Sequence, residues 1–472
     1  MRTLASVAAL TALASLVATE HARAQVGQQP NLGRRLSQSQ VTSGALNFTE
    51  LRREGRRIFT TPFNKLDGYG EHYIVSNPDH TSFGNRPTLQ NNGTFLRVNG
   101  LDGQTCLECH TITSNSTIPA TLGVGGVGGI SNSPMFMTRN IDPDDSSNNG
   151  FASFDGRLIN PPFLFGAGGI EATGKEMTTA LQALKLQAFT TPNVPVQLLA
   201  KGVDFGWITF NGSSFDTSGV VGIEPDLVVR PFGRKGEFHT TRAFDRGAMQ
   251  FHFGIQPVEV VGAGNDGDND GVVDELTEGE MSVLHIFAQT NPRPRVVPSS
   301  AASNGLVIFD AIGCTDCHFP QLTTNSSTHT ISFPDLETNP AANVYLSFNL
   351  RQAPTNFPAN PGGGVVVPCF ADLKRHDMGP GLMESFGSPL DAFFTTARLW
   401  GVADTAPYLH DGRATNLTEA IMAHGGEATQ ARMNFTNLTA NGKTEVLALL
   451  RSLHTPKNPN EELGPPLMDR NN

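Results

Sequence analysis

The sequence predicts a mainly α-helical chain with long ordered loops and little sheet, built from two similar units. Three observations lead there. Charged residues make up only 16% of the 472 positions, while glycine (49) and proline (31) are abundant; few charges with many turn formers describe loops laid over a core. Several segments repeat apolar residues at helical spacing, among them "NFTELRREGRRIF", "GKEMTTALQALKLQ", "TEGEMSVLHIF", "NLTEAIMAH" and "KTEVLALLRSLH". Finally, a Cys-x-x-Cys-His motif occurs twice, as "TCLECH" (Thr105–His110) and "GCTDCH" (Gly313–His318), each after a helix-like run carrying G-x-x-[IF]-F. Those runs are "REGRRIFTTPF" and "SNGLVIFDAIG", and a duplicated unit accounts for both.

In chain order, residues 1–24 read as a signal peptide: Met1 and Arg2, the apolar run "LASVAALTALASLVA", then small residues in "ARA" at Ala22–Ala24. No later stretch reaches the roughly 18 apolar residues of a membrane span, so the mature chain is expected in the periplasm or secreted. Residues 25–45 are polar and aperiodic, as in a flexible arm. The first unit is expected over 46–295 and the second over 300–465, with the boundary in the Pro- and Ser-rich "NPRPRVVPSSAAS" (Asn291–Ser303). Two helix starts carry capping-box pairs, Thr277 with Glu280 and Asn416 with Glu419. "GVGGVG" (Gly123–Gly128) satisfies G-x-G-x-x-G but lacks the strand, helix and later acid of a dinucleotide site, so it reads as loop. The net charge of −11 argues against nucleic acid and is compatible with a small basic redox protein as electron donor or acceptor.

Four of the five cysteines lie in the two motifs. Structural zinc needs four ligands, usually two CxxC pairs close in sequence, and here the pairs stand in opposite halves of the chain. A thioredoxin-like motif leaves the histidine unexplained. Covalent haem uses all three residues: both thiols add to porphyrin vinyl groups and the adjacent imidazole binds the iron. Export agrees, because bacterial c-type attachment happens outside the cytoplasm. Two c-type haems are therefore expected, on Cys106, Cys109 and His110 and on Cys314, Cys317 and His318, with zinc or disulfides as the alternative. Cys369, left over, reads as a buried inert thiol or as a redox-active one.

"DLKRHDMGPGL" (Asp372–Leu382) and "TTARLWGVADTAPYLHDGRATNLTEAIMAHGGEA" (Thr395–Ala428), together with "GCTDCH", resemble the bacterial di-haem oxidoreductases. Members are described as peroxidases or thiol oxidoreductases and are related to the di-haem cytochrome c peroxidases. The likeness is looser at "GRRIFTTPF", "DGRLINPPFLFGAGGIEA" and "GRKGEFHTTRAFDRGAMQFHFG". It implies two mostly helical cytochrome c-like domains with one haem each. The active site would lie at or near the first haem, while the second takes in electrons and passes them on.

Further candidates follow from these two lines. Glu171 in "GAGGIEA" is the best-placed distal acid/base by resemblance, against a plain helix-capping role. His252, in the apolar "MQFHFGIQ", reads as a haem ligand or distal-pocket residue, against a core histidine. Related peroxidases carry a distal histidine shortly after the first CxxCH, and this chain has none between His110 and His239. His72, His80, His239, His285, His329 and His454 read as surface, turn or core residues. Met378, in the tight turn "HDMGPG", is the expected second axial ligand opposite His318, with His376 and Met383 as rivals and simple packing as the alternative. By resemblance Trp400 packs beside the second haem or in the core, and His410 with Arg413 supports a haem edge. Asp266, Asp268, Asp270 and Asp274 around Gly271 have the D-x-D-x-D-G-x-x-D spacing of a calcium loop. Its twelfth position is Thr277 instead of Glu, leaving Glu275 or Glu278 to substitute or the loop as a solvated acidic turn.

The function expected from the whole is a di-haem c-type oxidoreductase, peroxidase-like, with one relay haem and one reactive haem. Peroxide or a small oxidisable compound is the expected substrate. The alternatives are a pure electron-transfer cytochrome and a di-haem oxidase of an organic or protein substrate.

Overall fold

The glycine shared by the two motif-leading runs proves to be a helix-crossing point. In the computed structural model, which describes residues 29–69, 105–110, 135–142, 153–162, 164–268, 270–333, 343–384 and 387–464, α1 (Phe48–Thr60) precedes the first CxxCH. It crosses the helix Glu278–Gln289 so closely that a Cβ on Gly55 would lie 1.9 Å from the Val283 carbonyl oxygen. The helix before the second CxxCH, Ser300–Ala311, repeats this. A Cβ on Gly305 would lie 2.0 Å from the Glu445 oxygen of the helix Ala440–Arg451. Any side chain at either glycine would push the helix axes apart. Four residues on, Phe59 and Phe309 are buried on the same helix faces.

Between these crossings α2 (Ala167–Thr190) carries Glu171, and α3 (Thr241–Ala248) runs into a π-helical turn, Met249–Phe253, that carries His252. Glu278–Gln289 is α4, Ser300–Ala311 α5, Leu417–Met422 α6 and Ala440–Arg451 α7. The capping box at Thr277 and Glu280 is present: Glu280 N donates to Thr277 Oγ1 at 3.1 Å and Thr277 N donates back to Glu280 Oε2 at 2.9 Å. At α6 only half of the expected box forms. Asn416 caps Glu419 N, but the Glu419 carboxylate turns to Thr415 N and its hydroxyl.

Sheet is more widespread than "little sheet" implies. Among the described residues the strands form five two-stranded ribbons and one three-stranded sheet, all antiparallel. The larger ones are β1 (Met135–Asp142) with β2 (Ser153–Ile159), β3 (Val196–Ala200) with β4 (Val203–Phe210) and β5 (Phe215–Asp216), and β6 (Thr328–Ser332) with β7 (Val344–Asn349). A smaller ribbon pairs β8 (Arg375–Asp377) with β9 (Phe393–Thr395). β3 shows strict in–out alternation in burial, but hairpin strands this short escape a reading tuned to helical period.

Two apolar clusters form, and they do not divide where the sequence suggested. The smaller holds Phe309, Ile312, Leu417, Phe435, Val446 and Leu450. The larger takes in the first unit and also Ile331, Tyr345, Leu350, Phe357 and Val367, from beyond the second CxxCH. The range 300–465 is therefore not one packing unit: its middle returns to the first core, where β6 and β7 find apolar surface. The supposed flexible arm is likewise ordered from residue 29. Leu32, Leu36 and Val41 are buried, Asp67 accepts from the amides of Asn31 and Leu32, and Arg35 pairs with Glu280 at 2.9 Å. Its apolar residues show no period because they dock singly onto a surface formed elsewhere. Residues 1–24 and "GVGGVG" lie outside the described residues.

Candidate haem sites and the buried carboxylate cluster

Both CxxCH segments fold as a single 3-10 turn, Cys106–Glu108 and Cys314–Asp316, in which the histidine amide donates back to the first cysteine carbonyl, at 2.9 and 3.0 Å. The first turn is tied to α1 by Thr105, whose hydroxyl donates to the Phe59 carbonyl at 2.9 Å. In both sites the imidazole is oriented the same way. His110 Nδ1 donates to the Pro162 carbonyl at 2.8 Å, and His318 Nδ1 donates to the Phe370 carbonyl at 3.0 Å. A carbonyl on Nδ1 sets the tautomer and leaves Nε2 as the lone-pair nitrogen, the arrangement a metal-ligating histidine requires. Burial pushes both imidazoles down to about 4, with His252 adding to the effect at His110 and His424 at His318. Neutral imidazole is the ligating form.

The cysteines are compatible with thioether attachment. None of the five forms a disulfide, and the four motif cysteines are half-buried. Burial, then Asp245 and Cys109, raises Cys106 well above the ordinary thiol value; burial, then Cys317 and Asp316, takes Cys314 to about 12. A redox-active CxxC pair instead needs a low-pKa thiolate. The donor set thus fits covalent haem at both sites: Cys106, Cys109 and His110 would hold one, Cys314, Cys317 and His318 the other.

Beside the first site lies a buried polar cluster centred on Glu171. Its carboxylate is fully enclosed, one oxygen 3.0 Å from Lys175 Nζ and 3.5 Å from His329 Nε2. The other oxygen accepts from Thr241 N at 2.9 Å and lies 3.3 Å from His285 Nε2. His285 continues through Nδ1 to the Tyr345 hydroxyl, and His329 Nε2 also meets Gln289 Oε1 at 3.1 Å. Burial opposes the charge on Glu171, but Lys175 and His285 outweigh it and hold the carboxyl well below its ordinary range. Asp245 connects this cluster to the motif. Its Oδ2 is shut off from solvent without a hydrogen-bond partner among the described residues, and its negative neighbours include Glu171, while Asp245 itself bears on Cys106. Burial, then Glu171, keeps the Asp245 carboxyl raised well above its ordinary value. Two carboxyls held in opposite directions, Glu171 toward its ionised form and Asp245 toward its protonated one, therefore lie near the first CxxCH.

Glu171 does not cap its own helix, whose N-cap is Gly166; its carboxylate instead accepts from Thr241 N, the first amide of α3. His285 and His329, expected to be bland, are the partners sequence reading missed. They stand far from Glu171 in the chain, and only the packing of α4 and β6 against α2 joins them.

Residues 362–453 match the family model described as "Di-haem oxidoreductase, putative peroxidase". That match covers the C-terminal segment alone, which is similar to the di-haem oxidoreductase family. Two solved structures are similar over part of the chain. Hydrazine synthase of Kuenenia stuttgartiensis has 16% identity and a TM-score of 0.24, covering 40% of this chain and 59% of that one. A MauG-like protein associated with microbial copper homeostasis has 16% identity and a TM-score of 0.22, covering 37% and 52%. The chain thus spans little more than half of either. No curated protein matches it.

Within the family segment the remaining candidates separate. Both nitrogens of His376 are taken by carboxylates, Nε2 by Asp372 at 2.8 Å and Nδ1 by Glu427 at 2.7 Å, which removes it as an axial ligand. Met383 is 52% exposed. Met378 is half-buried, its amide donating to the Ala392 carbonyl at 2.8 Å. Cys369 is buried, with burial pushing its thiol up to about 12, as an inert thiol requires. Trp400 belongs to the larger core, against Phe357 and against Gly166 at the start of α2, where a Cβ would lie 2.7 Å from the indole. His410 stacks on Phe394 at 4.4 Å, and Arg413 binds Asp411 and the Gly381 carbonyl. Asn160 joins this loop to the first site: its amide donates to the His410 carbonyl at 2.7 Å, two residues before the Pro162 that orients His110.

In the acidic loop, carboxylate oxygens of Asp266, Asp268 and Asp270 gather within 4.8 Å of one another, and Gly271 takes φ +94° to turn the chain. Asp274, expected with them, faces away and accepts from Gly264 N at 2.7 Å. Glu275 is the buried acid beside the three, its amide-facing oxygen accepting from Gln256 N at 2.7 Å.

Proposed function

We propose that this chain is a peroxidase-like di-haem c-type oxidoreductase with a reactive first site and a relay second site. The carrying observation is the Glu171–Asp245 pair of carboxyls near the first motif; at the second motif the buried acid, Asp372, is instead paired with His376. Bound haem supplies the one-electron chemistry. The protein's own part is proton management: ionised Glu171, fixed by Lys175, Thr241 N and the two histidines, takes a proton from an entering peroxide and returns one to the departing oxygen. His285 and Tyr345 extend that path away from the site. A small redox protein would supply electrons at the second site, in a periplasmic or secreted setting consistent with the expected signal peptide. Among the described residues no helix is long and apolar enough to cross a membrane.

A second reading, a pure electron carrier, draws on His252. It is close enough to His110 to lower its pKa, and as a ligand it would close that iron. Cyanide separates the two. The enzyme reading expects one high-spin, cyanide-binding iron and turnover of hydrogen peroxide with a reduced cytochrome. Two low-spin, cyanide-inert irons without turnover would establish the carrier.

We also propose that Asp266, Asp268 and Asp270, with Glu275 in place of Asp274, bind calcium in a structural role. Three carboxylates converging on a tight glycine turn repel one another unless a cation joins them. Adding a chelator should lower the thermal midpoint of the wild type and leave that of Asp268→Ala/Asp270→Ala unchanged. An equal response in both proteins means the loop is only a solvated turn.

A further inference from the structure

We propose that His424, not Met378, is the axial ligand opposite His318; this rests on the reading of the second CxxCH as a haem site. The ring centres of His318 and His424 are 6.4 Å apart, their planes 54° from parallel. Two imidazoles bound to one metal from opposite sides, each through a bond of about 2 Å, place their ring centres roughly 6 Å apart. The spacing is too long for stacking and matches two rings sharing one ion.

The local structure holds His424 as it holds the two motif histidines. Its Nδ1 donates to the Ala420 carbonyl at 2.8 Å, the same carbonyl-oriented tautomer found at His110 and His318, with Nε2 left as the ligating nitrogen. The ring projects from the end of α6. On its other side the chain is pinned by Gly425 and Gly426, where a Cβ would lie 2.8 Å from the Met378 carbonyl oxygen and 2.0 Å from that of Asp377. Gly426 also takes φ +51°. This backbone contact makes Met378 the neighbour of His424: the "HDMGPG" turn buttresses the "HGGEA" segment. His376, with both nitrogens on carboxylates, cannot compete.

The consequence is spectroscopic and electrochemical. A second imidazole leaves the haem at a lower potential than a thioether does. The ferric holoprotein should therefore lack the weak charge-transfer band of methionine–iron ligation at the red edge of the visible. Met378→Leu should leave the spectrum and both potentials in place. His424→Met should create that band and raise one potential while the other stays; His424→Ala should open that iron to cyanide. Haem content by intact mass is measured on every variant, so that loss of haem at Cys314 and Cys317 in the wild type would overturn the haem reading itself. A methionine band in the wild type that Met378→Leu abolishes, or unchanged spectra in both His424 variants with two haems present, would overturn the assignment to His424.

Discussion

Glu171→Gln should lower peroxide turnover by about 10²–10⁴-fold, the range lost with a positioned proton-transfer group, with both haems still attached. The substitution keeps the volume and an acceptor for Thr241 N but removes the charge that faces Lys175, His285 and His329. Lys175 then loses the buried carboxylate beside it, so stability should also fall, by roughly 3 kcal/mol on the scale of broken buried pairs. Lys175→Met in the Gln background should recover stability but not turnover, which separates the two effects. The pH dependence follows with its sign. Burial opposes ionisation of Glu171 but is outweighed by Lys175 and His285, so its folded pKa lies below the ordinary 4.5. Its contribution to stability is complete above that value and lost as pH falls through the folded pKa. The thermal midpoint of the wild type should accordingly drop further below pH 4.5 than that of Glu171→Gln. Turnover within threefold of wild type in the Gln variant would remove Glu171 from the mechanism.

Covalent haem should fall from two to one in Cys106→Ala/Cys109→Ala and again in Cys314→Ala/Cys317→Ala, and to none when all four are changed. Intact mass and haem-stained denaturing gels read this directly, since only thioether-linked haem survives denaturation. The two double variants should differ in function. Loss at the first motif removes peroxide turnover, because the Glu171–Asp245 pair then faces no reactive centre. Loss at the second removes reduction by the partner cytochrome while leaving peroxide binding at the first. A wild-type mass without haem, or with zinc, would refute the reading of both motifs.

Several parts of this molecule are local, and the sequence by itself determined them. A CxxCH turn is made by five consecutive residues, and its chemistry follows from thiols and imidazole at that spacing. The Thr277–Glu280 box closes within one turn. Tertiary structure alone decided what depends on distant groups. Glu171 looks like any helical carboxylate until α4 and β6 bring His285 and His329 to it. His424 shares no motif with His318 until α6 ends beside the second turn. Residues 29–45 look unstructured because their apolar side chains find partners only in helices far along the chain. Asp274 fits the calcium spacing, yet its backbone at φ +53° sends the carboxylate to Gly264 N. The physical reason is common to all four. Spacing along the chain encodes contacts made within a helical turn or a tight loop, whereas a buried charge or a metal ligand takes its partners from whichever elements the core packs beside it.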